Sequence, residues 1–343
     1  MKHFVRQNRL KNFPRLAFIG CGAIVEQFHI PAVKKLKLRP SIFIDPELSR
    51  AESMAKYFSA KVSSDYKEVL EDFDAAIVAV PHFLHATICT DLLRNGKHVL
   101  VEKPMATTTA ECNEMNKAAE ENNATLAVGL FRRFLHGAQW VRSFLQSGRL
   151  GEVKHFEFRE GTAYSWPVTT DSLWKKEMAG GGVLIDTGSH TLDTLIWWLG
   201  DFESVDYKDD SYGGVEADCI MNLRLKSGAE GTVELSRTRK LGGQATITGS
   251  KGSLQAELST NKIKSNPLEL TEASFDGFKG ANISNQSLDS LFVNQMSNWL
   301  EAIRAGNRPY VNGLEGAKAV ALINACYQNR KLWSLPWVGV HNV

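Results

Sequence analysis

The sequence predicts an α/β protein in two parts: an N-terminal doubly wound parallel sheet, then a C-terminal α+β domain with a large, mostly antiparallel sheet. Three observations carry this expectation. Up to about residue 130, short runs that are apolar throughout alternate with amphipathic stretches, the pattern of parallel strands covered on both faces by helices. After Gly148 the pattern changes to alternation of inward and outward residues, as in half-exposed antiparallel strands. A length of 343 residues also exceeds what one hydrophobic core usually serves.

In order, RLAFIGCGAIVEQFHIPAVKKL from Arg15 reads as strand, glycine turn and helix, RPSIFIDP as a second strand, and LSRAESMAKYF as a second helix. DAAIVAVP is a strand, LHATICTDLLRN a helix stopped by Gly96, KHVLVEKP a strand, TTAECNEMNKAAEENN a helix and ATLAVGL a strand. GEVKHFEFRE follows as an alternating strand, and VEADCIMNLRLKSGAEGTVELSRTR as two strands joined at Ser227-Gly228. QATITGSKGSLQAEL extends that sheet, residues 259–283 fit no element, and LDSLFVNQMSNWLEAIRAG and GLEGAKAVALINACYQN read as amphipathic helices. The expected boundaries are an arm over 1–14, a first domain over 15–134, and a second domain over 135–343. The C-terminal helices are placed to pack back on the first domain.

Composition narrows the function classes. A hydrophobic fraction of 43% and a charged fraction of 23% are those of a folded globular protein. A formal net charge of +2 creates no strong field for nucleic acid or an anionic membrane. Cys21, Cys89, Cys112, Cys219 and Cys326 are odd in number, scattered and without paired spacing. They read as reduced cytosolic thiols, so neither bridges nor a metal is expected. Basic residues before LAFIGCGAIV imitate a signal peptide, but no small-residue cleavage site precedes Glu26. A cytoplasmic protein with no membrane span is expected.

Gly20, Gly22 and Val25 occupy the key places of a dinucleotide-binding turn, with valine where the third glycine or alanine usually stands. The first glycine permits the turn, the second admits a pyrophosphate to the backbone, and the helix start around Ala23 and Ile24 offers N–H groups to phosphates. Asp45 ends the second strand, where a carboxylate hydrogen-bonds ribose hydroxyls, and Pro46 rather than arginine follows it. NAD is therefore favoured, while Ser49 and Arg50 keep NADP open. The alternative for Asp45 is a turn cap.

Two further features are unusual. Asp186, His190, Asp193 and Trp197 share one stripe of a helix, with Ile185, Leu192, Ile196 and Leu199 on another face. VLVEKPMA, residues 99–106, ends an apolar strand on Glu102, Lys103 and Pro104. This places Lys103 at the carboxyl edge of a parallel sheet, where ligands bind, on a turn fixed by Pro104, and a cis Lys103-Pro104 bond is expected.

FIGCGAI at 18–24, VAVPHFLHA at 78–86, GKHVLVEKPMA at 96–106, VGLFRRF at 128–134 and GGGVLIDTGSHTLD at 180–193 together resemble the Gfo/Idh/MocA oxidoreductases over nearly the whole chain. The resemblance implies a Rossmann domain for NAD or NADP, and an α/β domain on an open sheet that binds a sugar, sugar phosphate, nucleotide sugar or cyclitol. It implies a homodimer or homotetramer and a dehydrogenase of CH–OH groups. On the family's catalytic positions stand Lys103, Asp186 and His190: His190 as acid/base, Asp186 orienting it, Lys103 holding the hydroxyl, with exchange of the two proton-transfer roles left open. Val80, Pro81, His82, His85, Glu102 and Lys103 are expected along the cofactor, with Glu102 also a local partner of Lys103. Lys103, Asp186 and His190 are expected to touch the substrate together with Arg132 and Trp166, which stand ahead of Arg133 and Tyr164. His82 stands where many members have asparagine, and Phe131-Arg132 also departs from the usual pattern. Two alternatives remain: a ketoreductase working in the opposite direction, and a non-catalytic regulator of the same fold.

Overall fold

The structure, a computed structural model, describes residues 13–165, 167, 174–260, 263–266 and 286–333. These form two compact units. Residues 13–131, 167 and 287–317 belong to the first, and the remaining described residues to the second. Most of the expected N-terminal arm, Trp166 and most of residues 259–283 lie outside the described residues.

The first unit is built on six parallel strands: β1 (Leu16–Ile19), β2 (Ile42–Ile44), β3 (Lys61–Ser63), β4 (Ala75–Val78), β5 (His98–Val101) and β6 (Leu126–Val128). Their order, β3-β2-β1-β4-β5-β6, is the doubly wound order that reverses between β1 and β4. β1 and β4 bury every residue, which is why they read as unbroken apolar runs. β3 escapes that pattern because it is an edge strand with Lys61 and Val62 exposed.

After β1 a π-helical segment (Val25–His29) runs into α1 (Ile30–Leu36), and the Ile30 N–H donates to the Val25 carbonyl, one residue beyond the α-helical spacing. The other crossover helices are α2 (Leu48–Ala55), α3 (His82–Arg94) and α4 (Thr109–Glu121). α4 starts at a capping box, in which the Thr108 side chain accepts from the Glu111 N–H and the Glu111 carboxylate accepts from the Thr108 N–H. A helix far along the chain completes the core: Phe292, Met296 and Trp299 join Phe18, Val33 and Phe43 in one buried cluster.

The second unit opens with α5 (His136–Gln146), β7 (Val153–Gly161), the short α6 (Lys176–Ala179) and the long α7 (Val183–Leu199). Its sheet continues through β8 (Phe202–Asp209), β9 (Asp218–Leu225), β10 (Glu230–Ser236), β11 (Gly242–Gly249), β12 (Gly252–Glu257) and β13 (Ile263–Asn266). α8 (Leu288–Ala305) is the helix that packs in the first unit, α9 (Gly313–Gln328) follows it, and β14 (Arg330–Leu332) closes the described chain. The eight strands run in the order β13-β12-β11-β7-β10-β9-β8-β14. Most pairs are antiparallel, but β7–β10 and β8–β14 are parallel.

Alternation sorts the two faces of this sheet. Phe156, Phe158, Met221, Leu223, Val233, Leu235, Ala245 and Ile247 are buried on one side. The other side carries ion pairs such as Arg159–Glu234 and Arg224–Glu230. α7 lies close on the buried side: a Cβ added at Gly188 would come 2.9 Å from Leu235 Cδ1, so a larger residue there would have to push that side chain aside.

Candidate active site

The carboxyl ends of β1, β2, β4 and β5 gather the first set of expected residues. Gly20 has φ +87°, and a Cβ there would collide with the Ala79 carbonyl, so only glycine lets β1 turn beside β4. At Gly22 an added Cβ would meet no atom of the described residues within 4 Å. The glycine there answers to no packing neighbour and leaves the backbone open to approach. Gly22, Ala23 and Ile24 lead into the helix, where N–H groups lack intrahelical acceptors.

Asp45 is buried, and each oxygen accepts one backbone N–H, Oδ2 from Cys21 at 2.8 Å and Oδ1 from Glu47 at 2.9 Å. It thus caps the turn, and each oxygen keeps a second lone pair for a ribose hydroxyl. The cap and the ribose readings are compatible. These residues fit a dinucleotide: an open glycine turn, free helix-start donors and an acceptor-only side chain at the end of β2.

At the end of β5 the Lys103-Pro104 peptide is cis, as expected. Val80, Pro81, His82 and Lys103 are half-buried at these strand ends. His85 and Glu102, also expected along the cofactor, are both buried. The His85 ring is buried, with Nδ1 2.7 Å from the Pro104 carbonyl oxygen and Nε2 2.9 Å from that of Val80. Burial is the main influence and lowers its pKa, against the two carbonyls and Glu102. His85 therefore ties the Lys103 loop to the end of β4. Glu102 is buried as well, and its Oε1 lies 2.7 Å from His29 Nε2. Burial raises its pKa, but the His29 hydrogen bond and the charges of His29 and Lys103 outweigh this and hold the carboxyl below its usual range.

In the second unit α7 carries the other set. Glu216 caps the helix start: its Oε1 accepts from the Gly182 and Leu184 N–H groups at 2.8 and 3.0 Å and from the Tyr327 hydroxyl at 2.9 Å. Asp186 sits in the first turn, where the helix dipole favours a carboxylate. Its Oδ2 accepts from Arg237 Nη2 at 2.8 Å. The Arg237 guanidinium is buried against the rings of Tyr164 and Trp174, 4.8 and 5.7 Å from their centroids. His190, one turn beyond Asp186, is buried, and its carbonyl accepts from the Thr194 hydroxyl at 2.9 Å.

The rest of the predicted stripe is used inside the unit. Asp193 takes a two-point hydrogen bond from Arg133 at 2.6 and 3.0 Å, with both side chains at most 2% exposed. Trp197 lies against the guanidinium groups of Arg133 and Arg142. Arg132, expected at the substrate, gives both terminal nitrogens to Glu160 at 2.8 and 2.6 Å, and Glu160 also accepts from Thr191 at 2.6 Å. Glu160 on β7 thus joins Arg132 to Thr191 on α7.

Comparison with known proteins decides the family. Residues 14–130 match the domain described as "Oxidoreductase family, NAD-binding Rossmann fold", and residues 142–333 match that family's C-terminal alpha/beta domain. The chain belongs to the Gfo/Idh/MocA oxidoreductases. Relatives include D-glucoside 3-dehydrogenase of Escherichia coli, 32% identical over 54% of this chain and 54% of its own length. Levoglucosan dehydrogenase of Pseudarthrobacter phenanthrenivorans is 27% identical over 56% of this chain and 51% of its own length. The chain thus spans between about half and three-fifths of the curated relatives it matches first. In fold it is similar to the WlbA dehydrogenase of Bordetella pertussis, solved with NADH and UDP-GlcNAcA, at a TM-score of 0.79 and 23% identity over 92% of this chain and 95% of that one.

As a member of this family the chain has an NAD-binding Rossmann domain, and the open turn at Gly20–Ile24 with Asp45 lies within it. Three polar side chains beside the expected residues escaped the sequence reading: His29, Arg237 and Glu216. Each meets a partner far along the chain, and nothing local marks Arg237 or Glu216. His29 offered one signal, a histidine on the helix after the glycine turn.

Proposed function

We propose that the protein is an NAD(P)-dependent dehydrogenase that oxidises a secondary ring hydroxyl of a sugar, sugar phosphate, nucleotide sugar or cyclitol. The first domain holds the dinucleotide and the second the carbohydrate. The observation that carries this reading is the Asp186–His190 pair one turn apart on α7, with Asp186 tied to buried Arg237. That spacing sets a carboxyl one helical turn from a histidine, the side chain whose unperturbed pKa suits proton transfer near neutral pH.

In this reading His190 accepts the hydroxyl proton at Nε2, since Nδ1 is buried. Asp186 stabilises the imidazolium that results, and Arg237 holds the Asp186 carboxyl in place. Lys103 holds the hydroxyl oxygen and stabilises the charge that develops on it as the proton leaves, an effect that contributes about 3 kcal/mol in comparable sites. When bound, NAD supplies the hydride acceptor. The alcohol loses a hydride from carbon and a proton from oxygen and becomes a ketone, and the reverse reaction uses the same groups.

Deuterium tracing tests the reaction. The full chain is incubated with NAD and with glucose, glucose 6-phosphate, UDP-glucose and inositol carrying deuterium on every ring carbon. Mass spectrometry is expected to find NAD reduced with one deuterium from at least one of these, and no transfer from any of them would overturn the proposal. A cytoplasmic homodimer or homotetramer belongs to the same reading. Light scattering of the purified chain is expected to give a multiple of its mass.

A further inference from the structure

Glu216 is 1% exposed, and the proposed reaction does not use its carboxyl. It stands just before β9 and grips the start of α7 twice. Its Oε1 takes the Gly182 and Leu184 N–H groups and the Tyr327 hydroxyl, and its backbone carbonyl takes the Val183 N–H at 2.9 Å. One residue thereby binds three consecutive amides that the helix itself cannot satisfy. The approach is close enough to exclude side chains: a Cβ added at Gly182 would run into the Glu216 carbonyl, and one at Gly181 into the Tyr327 hydroxyl. The glycine run before the helix is what admits this clamp.

Asp186 lies within the turn so held, since its N–H donates to the Gly182 carbonyl at 3.1 Å. The residue after Glu216 holds the other side of the Asp186 contact. The Ala217 carbonyl accepts from the Arg237 N–H at 2.8 Å, and Arg237 Nη2 donates to Asp186 Oδ2 at 2.8 Å. Glu216 and Ala217 are thus a common footing for the Asp186 carboxyl and for its guanidinium, and His190 follows one turn on along the same helix. A displacement of about 1 Å in a reacting group can slow a reaction about 100-fold.

We propose that Glu216 is a positioning residue for the proton transfer: it fixes the first turn of α7, and with it Asp186 and His190, by the reach of its side chain and not by its charge. The proposal rests on the reading of Asp186 and His190 as the groups that handle the proton, and it extends that reading to a residue outside the motifs. The three donors need an acceptor oxygen at the right distance, which a carboxylate, a carboxylic acid and an amide all supply. Burial raises the pKa of this carboxyl, against its hydrogen bonds. A neutral group therefore suits the same place.

Two substitutions separate reach from charge. Glu216→Gln keeps the length and loses the charge, whereas Glu216→Asp keeps the charge and draws the oxygens back by one methylene. Both are made in the full chain, and turnover is expressed per NADH-binding site, so that loss of folded protein does not count as loss of rate. Glu216→Gln is expected to keep kcat within about threefold of wild type, and Glu216→Asp to lower it about 10- to 100-fold with the KM for the carbohydrate within about twofold. Hydrogen exchange read by mass spectrometry needs no substrate. Over residues 182–187 it is expected to be about tenfold faster in Glu216→Asp and unchanged in Glu216→Gln. Wild-type turnover in Glu216→Asp, or a loss in Glu216→Gln as large as in Glu216→Asp, would overturn the proposal. If the wild-type chain oxidises no carbohydrate, the proposed function fails by itself and exchange decides. Faster exchange in Glu216→Asp alone then leaves the clamp standing, and unchanged exchange there overturns it. If Glu216→Asp does not fold, Glu216→Gln decides alone, and faster exchange over residues 182–187 in that variant would overturn the proposal.

Discussion

Asp45 shows at the residue scale how one side chain serves both fold and function. Its oxygens tie the end of β2 to the glycine turn through Cys21 and Glu47. In the proposed complex they also receive ribose hydroxyls, and a hydrogen bond to a charged acceptor contributes about 1.5–3 kcal/mol. Asp45→Asn, which keeps the shape but removes the charge, is expected to weaken NAD binding about 10- to 100-fold by that measure. It should weaken NADP less, because the repulsion of a 2′-phosphate goes with the charge. Fluorescence titration with NADH and NADPH checks both, and equal losses would count against Asp45 as the ribose acceptor. Lys103 and Asp45 were legible because each ends an apolar strand, where a charge is conspicuous. His29 and Arg237 were not, because their partners stand 73 and 51 residues away. The Arg132–Glu160 pair was not legible either, because a bare arginine in sequence does not reveal its partner 28 residues on.

Among the elements, α4 is separable from the chemistry. Its capping box satisfies helix-start donors that the helix itself cannot. Thr108→Ala is expected to cost about 1 kcal/mol of stability. Urea unfolding measures this, and NADH affinity should stay at the wild-type value. Strands buried on both faces, such as β1 and β4, were legible from apolar runs alone. β3 was not, being short, exposed and at the edge. β8 alternates weakly, with only Tyr207 and Asp209 buried among its eight residues, so FESVDYKD gave no strand signal. Strand direction in the second sheet was not readable either, since alternation is the same for parallel and antiparallel neighbours. Hence the parallel β7–β10 pair came only with the structure.

The whole molecule combines an NAD-binding Rossmann domain with a second unit whose core holds a charged network. Arg133 and Asp193 are buried together there, with Trp197 against the guanidinium. Removing one partner of such a pair leaves a buried charge and costs about 3–5 kcal/mol. Asp193→Ala is therefore expected to lower the unfolding midpoint strongly, whereas Arg133→Met with Asp193→Leu should recover part of the loss. Thermal unfolding of the three variants checks this, and a mild effect of Asp193→Ala would show the pair to be dispensable. The two-part architecture was legible from the change of pattern near Gly148. That Asp193 serves this network while Asp186 pairs with Arg237 was not, because the stripe of α7 presents both carboxylates alike in sequence.

In the proposed reaction Lys103 and His190 carry the chemistry on a chain that binds NAD without them. This is tested most directly by comparing wild type with Lys103→Met and His190→Ala, with NADH binding followed by fluorescence and NAD reduction by absorbance over the carbohydrate panel. The expected result is NADH affinity close to wild type in both variants and turnover lower by about 10²–10⁴-fold. Turnover at the wild-type rate in both would contradict it.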